Sequence, residues 1–181
     1  MKAEIKDILV RCAASTAFHA KFFFPEIFRT NFHNLHREIL NKIDSTEKKV
    51  VIAAPRGIGK TSIMLYGLAS RQILFEQKKF IVYLSNSAEN AVLQTDSLKY
   101  ELLSNPLIRK FFGSIKTSRI EVEYEEQFSK KAWITSGGTL VLPRGMGQQI
   151  RGLLYRSRRP DLIIIDDYED KDEITNEKLS L

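Results

Sequence analysis

Between positions 50 and 62 the chain reads Val50-Val51-Ile52-Ala53-Ala54-Pro55-Arg56-Gly57-Ile58-Gly59-Lys60-Thr61-Ser62. A β-branched apolar run leads into a tight loop, then Gly-Lys-Thr, then Ser62-Ile63-Met64-Leu65 at the start of an expected helix. That order of groups suits a triphosphate. Loop N–H groups and a helix N-terminus face the phosphate oxygens, the Lys60 ammonium reaches the β/γ-phosphates, and the Thr61 hydroxyl ligates Mg²⁺. Gly57 and Gly59 admit positive φ and close backbone approach. The residues expected to line the phosphates run from Ala54, Pro55 and Arg56 through Gly57, Ile58 and Gly59 to Lys60, Thr61 and Ser62. Ala54 stands where the strict P-loop pattern has glycine, a difference that a modest loop adjustment absorbs. The competing reading is an accidental Gly-x-Gly-Lys loop, and the strand before and helix after favour the motif over it.

Asp161-Leu162-Ile163-Ile164-Ile165-Asp166-Asp167-Tyr168-Glu169 is a short apolar run that ends in carboxylates. Leu and Ile without alternation predict a strand buried on both faces of a parallel sheet. Asp166 then emerges at the strand's C-terminal end, where ligands bind in open α/β sheets. There it holds Mg²⁺ directly or through water, while Asp167 or Glu169 polarises the attacking water. The competing reading is an acidic helix start after a core strand. The P-loop upstream favours the Walker B reading.

The elements that must position these groups form an alternating pattern. Ile5, Ile8, Leu9, Cys12 and Ala13 share one stripe of a helix over 4–13. Phe22-Phe23-Phe24-Pro25-Glu26 is an aromatic knot, with packing the expected role of its rings, and Pro25 suits the first position of a second helix. Phe32, Leu35, Ile39, Leu40 and Ile43 predict another helix. A strand is expected at 50–54 and a helix over 60–76. Phe80-Ile81-Val82-Tyr83-Leu84 predicts a second strand, followed by a helix to Leu103 capped by Asn86 with Glu89. Asn105-Pro106 and Gly113 bound a short helix. Ile120 to Tyr124 alternates as a half-exposed strand, and 133–135 and 139–142 flank Ser136-Gly137-Gly138 as a hairpin. The expected fold is α/β, with a mostly parallel sheet flanked by helices, an N-terminal helical segment and an inserted β-hairpin.

The 181 residues allow one domain with a real core. With 43% hydrophobic and 28% charged residues, the composition is that of a globular, soluble protein, and no apolar stretch is long enough to span a bilayer. The single cysteine, Cys12, excludes an internal disulfide framework and is expected to pack as a small hydrophobe. His33 and His36 could share a helix face, but no further Cys or His is spaced to complete a metal site, so both are read as structural. The net charge of +6 is uneven, with Arg144, Arg151, Arg156, Arg158 and Arg159 crowding ahead of the acidic strand end. A basic surface suits a polyanion, although solvated side chains are its commoner explanation.

Taken in order, these segments resemble the N-terminal ATPase domain of tailed-bacteriophage terminase large subunits, DNA-packaging motors. Phe24-Pro25-Glu26 with Leu35-His36-Arg37-Glu38-Ile39 is similar to the family's N-terminal segment. Ala54 to Thr61 is similar to its P-loop, including the Pro-Arg pair. Ser85-Asn86, Asn105-Pro106 and Phe112-Gly113 are similar to the next βα unit. Gly147 to Gly152, then Arg159-Pro160-Asp161 and Ile165-Asp166-Asp167, are similar to the arginine-bearing loop and Walker B strand. The resemblance covers nearly the whole chain.

It implies a P-loop NTPase of the ASCE/RecA-like class, with an N-terminal helical segment at 1–45 and the ATPase domain at 46–181. It implies ATP and Mg²⁺ as ligands, with Thr61 and Asp166 on the metal and Arg56 contacting the γ-phosphate. Where the family places a catalytic glutamate this chain has Asp167, so the base is Asp167 or Glu169. Arg151 is the first candidate to act on a neighbouring subunit's ATP, with Arg144, Arg156 and Arg158 as alternatives. The implied partners are double-stranded DNA, a portal and procapsid, a small terminase subunit, and copies of itself in a ring, without a membrane. The implied setting is the cytoplasm of a bacterial host, encoded by phage or prophage. The family continues into a coupling motif, a further central strand and a nuclease domain beyond Walker B, so the resemblance predicts a truncated ATPase domain. The alternatives are a nucleotide-binding or assembly module without turnover, and another DNA-dependent P-loop ATPase such as a helicase. The P-loop reading requires Lys60 and Asp166 to act on one metal–triphosphate.

Overall fold

The computed structural model describes residues 2–116 and 132–167. They divide into two compact units: one spans Met1–Gln77 and Ser104–Gly113, the other Lys78–Leu103 and Ser114–Leu181. The fold is mixed α/β.

The first unit is helical. It contains α1 (Lys2–Ala14), α2 (Thr16–Phe23), α3 (Asn34–Ile43), and a long helical segment that changes pitch. That segment starts as α4 (Lys60–Ser62), widens into a π-helical stretch (Ile63–Ala69), and returns to α geometry in α5 (Ser70–Leu74). Helix α7 (Pro106–Phe112) belongs to the same unit. Ser15 caps α2 by accepting a hydrogen bond from the Phe18 N–H, so the second helix lies before Pro25, not after it. Pro25 stands in the turn that follows. Asn105 caps α7 through Leu107 and Ile108, Pro106 takes the first turn, and Gly113 ends the helix at φ 72°, as the sequence predicts.

The aromatic knot is core. Phe23 and Phe24 are buried. Phe23 meets Phe111 edge-on and Phe112 tilted, while Phe24 packs on Tyr66. Gly67 lies in the π stretch, where an added Cβ would sit 2.9 Å from Thr16 Cγ2. Its missing side chain lets α2 lie close to that stretch. A polar cluster ties the helix ends together. Asp44, at the end of α3, accepts from Thr16 N–H at 2.8 Å and Thr16 Oγ1 at 2.6 Å. It also pairs with the buried Arg71 guanidinium at 2.9 Å, and Arg71 donates onward to the Ala13 carbonyl. Burial lowers the Arg71 pKa and the Asp44 carboxylate opposes that shift. Cys12 is buried as expected, and burial pushes its thiol up to about 11.

The second unit holds a mixed four-stranded sheet in the order β2-β3-β1-β4. Here β1 is Phe80–Ser85, β2 Trp133–Ile134, β3 Leu140–Gly145 and β4 Leu162–Ile165, with α6 spanning Ala88–Ser104. Strand β1 pairs in parallel with β3 and with β4. The hairpin predicted around Ser136-Gly137-Gly138 is present, with β2 antiparallel to β3 and Gly138 at φ 78°. Phe80, Val82, Leu84 and Leu142 form a buried cluster under Ile150, Leu153 and Tyr155. Asp161 accepts from the Lys79 and Phe80 N–H groups at 2.9 and 3.0 Å, which fixes the entry to β4 beside the entry to β1.

Three further local expectations are corrected. Val50–Ala54 forms no strand and joins no sheet ladder among the described residues, and Val51 is 95% exposed. Strand β4 is not buried on both faces: it lies at a sheet edge, with Ile164 buried while Ile163 and Ile165 are 47% and 62% exposed. The cap of α6 is Ser87, whose Oγ accepts from the Asn90 N–H, whereas Asn86 Oδ1 accepts from the Ser87 N–H. The strand expected at 120–124 lies outside the described residues. No described helix is long and apolar enough to cross a membrane.

Candidate nucleotide-binding site

The loop from Ala54 to Ser62 lies in the helical unit. It turns at Arg56 and Gly57, then enters helix α4 at Lys60. Gly57 has φ 83°, and Gly59 has φ 77° with ψ 29°, a left-handed conformation. L-residues with a Cβ take that region at a cost of about 1–2 kcal/mol, so the two glycines stand where the backbone needs them. A Cβ on either would meet nothing within 4 Å, so the space beside them is open. The helix closes its first turn when Ile63 N–H donates to the Gly59 carbonyl at 3.0 Å.

Lys60 folds back over the loop. Its ammonium donates to the carbonyls of Ala54 at 2.7 Å and Pro55 at 2.9 Å. The charge is thus held over the mouth of the loop by two neutral acceptors. An anion offers the same three N–H donors stronger, charge-assisted partners. Arg56 is exposed in the turn, and Thr61 and Ser62 are half-buried in the first helical turn.

The loop is braced from α3. His33 N–H donates to His36 Nδ1 at 3.2 Å, so that nitrogen carries a lone pair. The other nitrogen, Nε2, therefore bears the proton and donates to the Ile58 carbonyl at 3.0 Å. The attachment of His36 to the loop is not apparent from the sequence. The two residues are 22 positions apart, and nothing local marks the bond.

Asp166 and Asp167 lie in the sheet unit, directly beyond the C-terminal end of β4. The Asp166 N–H donates to the Leu84 carbonyl at 2.9 Å and the Asn86 N–H to the Asp167 carbonyl at 3.0 Å, which extends the pairing with β1 past the strand. The Asp166 carboxylate accepts from the hydroxyl of Tyr83 at 2.9 Å. Tyr83 is a fully buried ring whose partnership with Asp166 the sequence does not announce. Asp167 is exposed, with φ 47°. Glu169 lies outside the described residues.

The arginines split. Arg144 belongs to β3, opposite Leu84 of β1, and is half-buried, with Nη1 donating to the Pro143 carbonyl at 3.2 Å. Arg151, Arg156, Arg158 and Arg159 are exposed on the segment between β3 and β4. Arg156 lies over the Tyr155 ring at 5.3 Å. Among the described residues no group of three His, Cys, Asp or Glu side chains forms a ready-made metal site. An Mg²⁺ ion bound with a phosphate needs only one or two protein oxygens, because water and phosphate complete its octahedron. Of the two residues expected on the metal, Thr61 lies in the helical unit and Asp166 in the sheet unit.

Compared with protein-family models, curated proteins and solved structures, the chain matches none.

Proposed function

We propose that this chain is the ATPase motor domain of a terminase-like large subunit, which hydrolyses ATP with Mg²⁺ to drive double-stranded DNA into a capsid. The observation that carries the nucleotide part is the loop at 54–62. Two glycines in left-handed conformations lead straight into a Lys-Thr helix start, and the lysine ammonium is parked on loop carbonyls from which an anion can draw it. An accidental Gly-x-Gly-Lys sequence has no reason to adopt this conformation or to fold its lysine inward. The motor part rests on the ordered resemblance of segments along the chain.

On this reading Lys60 exchanges the Ala54 and Pro55 carbonyls for β/γ-phosphate oxygens, and loop N–H groups orient the phosphate chain. Arg56 reaches the γ-phosphate. Thr61 and Asp166 would hold Mg²⁺, which when bound neutralises charge on the transferring phosphoryl group. Asp167 orients the attacking water, with Glu169 as the other candidate. Arg151 is the first candidate for an arginine that acts on a neighbouring subunit. Such a group contributes about 10³–10⁵ in rate.

Phosphate release from ATP tests the reading. Hydrolysis that Lys60→Ala abolishes and that duplex DNA with empty capsids stimulates is expected. Tight nucleotide binding without release marks an assembly module instead, and stimulation by strand-separation substrates marks a helicase. Absence of any ATP binding sinks the reading.

A further inference from the structure

We infer that His36 is a positioning residue for the phosphate loop: it holds the Ile58–Gly59 peptide so that the Gly59 N–H faces away from α3. The inference rests on the nucleotide reading of that loop. A trans peptide points its C=O and N–H in opposite directions. The His36 Nε2–H fixes the Ile58 carbonyl at 3.0 Å, which fixes the direction of the Gly59 N–H. The histidine is itself held. Its Nδ1 accepts from His33 N–H at 3.2 Å, and its ring lies 5.9 Å, centroid to centroid, from both Phe32 and His33.

Such a brace matters at this residue. Gly59 has φ 77° and no side chain, so its own torsions restrain it weakly. A loop that must present N–H groups to phosphate gains from fixing them before the ligand arrives, because the ordering cost is then already met. His36 touches no expected reacting atom. It acts through Ile58.

Two readouts on the full chain separate this role from general stability. The first is amide hydrogen exchange of the loop at 56–60 in nucleotide-free protein. The second is Mg·ATP affinity. His36→Phe keeps a ring and removes the donor. His36→Asn is too short to reach Ile58, and serves if the Phe variant fails to fold. His36→Gln restores an N–H at similar reach. One hydrogen bond of ordinary net worth predicts about fivefold faster loop exchange and about fivefold weaker binding in His36→Phe or His36→Asn, with both largely restored in His36→Gln. Exchange elsewhere in the helical unit stays at the wild-type rate. Loop exchange and affinity unchanged in the Phe and Asn variants, or a Gln variant no better than they are, overturns the role of His36 alone. Wild-type protein that does not bind Mg·ATP, or binding indifferent to Lys60→Ala, overturns the nucleotide reading and the inference with it.

Discussion

The buried hydroxyl of Tyr83 donates to the carboxylate of Asp166 at 2.9 Å, which ties the acid at the end of β4 to the middle of its neighbour β1. A metal-binding carboxylate is effective when its oxygens are already oriented by the groups behind it. On the proposed nucleotide reading, Asp166→Ala should remove the Mg²⁺ dependence of triphosphate binding. Tyr83→Phe should leave the carboxylate in place but unaimed, and so raise the Mg²⁺ concentration needed for half-maximal binding. Loss of a hydrogen bond to a charged group costs about 1.5–3 kcal/mol, roughly a tenfold change or more. Titrating Mg²⁺ at fixed ATP measures both. A Tyr83→Phe midpoint equal to the wild type would show that the hydroxyl does not orient the acid.

His19 carries a pH dependence that the sequence does not suggest. It is fully buried among Phe23, Phe24 and Phe75, with Nε2 2.7 Å from Ser70 Oγ. Ser70 gives its one hydrogen to the Tyr66 carbonyl, so it accepts from His19. Among the described residues Nδ1 has no partner, and it is the nitrogen that would take a proton. Burial, aided by the nearby Arg71 charge, lowers the His19 pKa from 6.5 to about 3. Between those values the unfolded chain binds a proton here that the folded chain refuses. This part of the stability is complete above pH 6.5 and drains away as pH falls towards 3. The slope approaches about 1.4 kcal/mol per pH unit well inside that window. Urea melts between about pH 5 and 7 should show a steeper loss for the wild type than for His19→Phe. Equal slopes would mean that His19 titrates normally.

Much of the local architecture was legible because its determinants are local. Asn105, Pro106 and Gly113 bound α7 within a few residues, and Ser136-Gly137-Gly138 turns a hairpin whose strands adjoin it. The positive φ of Gly57 and Gly59 falls on residues whose type admits it. What failed depended on partners elsewhere in the chain. Val50 to Ala54 has the composition of a strand, but β propensity describes a side chain's fit to a pleated surface and does not name a neighbour. Val51 is solvent-exposed accordingly. The Ile run of β4 looked doubly buried, yet edge or centre is decided by which other strands arrive. The second helix is the exception: its determinant, the Ser15 cap, is local, and Pro25 stands in the turn after the helix. The bonds from His36 to Ile58 and from Tyr83 to Asp166 span 22 and 83 positions, beyond any local pattern.

Glycine at two positions serves different ends, and alanine should separate them. At Gly145, the last residue of β3, a Cβ would stand 2.2 Å from Ala88 N and 2.6 Å from Ser87 C, both backbone atoms that cannot turn aside. Gly145→Ala must push the start of α6 off the strand end, at a cost of about 1–3 kcal/mol or more. At Gly59 the space is open and only the left-handed backbone resists, at about 1–2 kcal/mol. Chemical unfolding should rank Gly145→Ala as the less stable variant. Exchange in the Gly145 variant should rise first at the N-terminus of α6. A Gly145 variant as stable as the wild type would show that α6 can yield its position.

The nucleotide reading makes one demand that separate substitutions leave untested: Lys60 and Asp166 must serve the same bound ligand. Substitutions at independent sites add to within about 0.3–0.5 kcal/mol, whereas groups that act on one ligand depart from additivity by about 0.5–3 kcal/mol. Mg·ATP affinity should be measured for Lys60→Ala, Asp166→Ala and the double variant, each with and without Mg²⁺. With the metal present, the double variant should lose at least about 1 kcal/mol less than the two single losses combined, because either change alone already disrupts the shared complex. Without the metal the coupling should vanish, since a carboxylate next to bare phosphate has nothing to bind and only repels it. Strict additivity in both conditions would separate the ammonium from the carboxylate. Lys60 would then keep its place in an anion-binding loop, and Asp166 would revert to an acid that ends an edge strand.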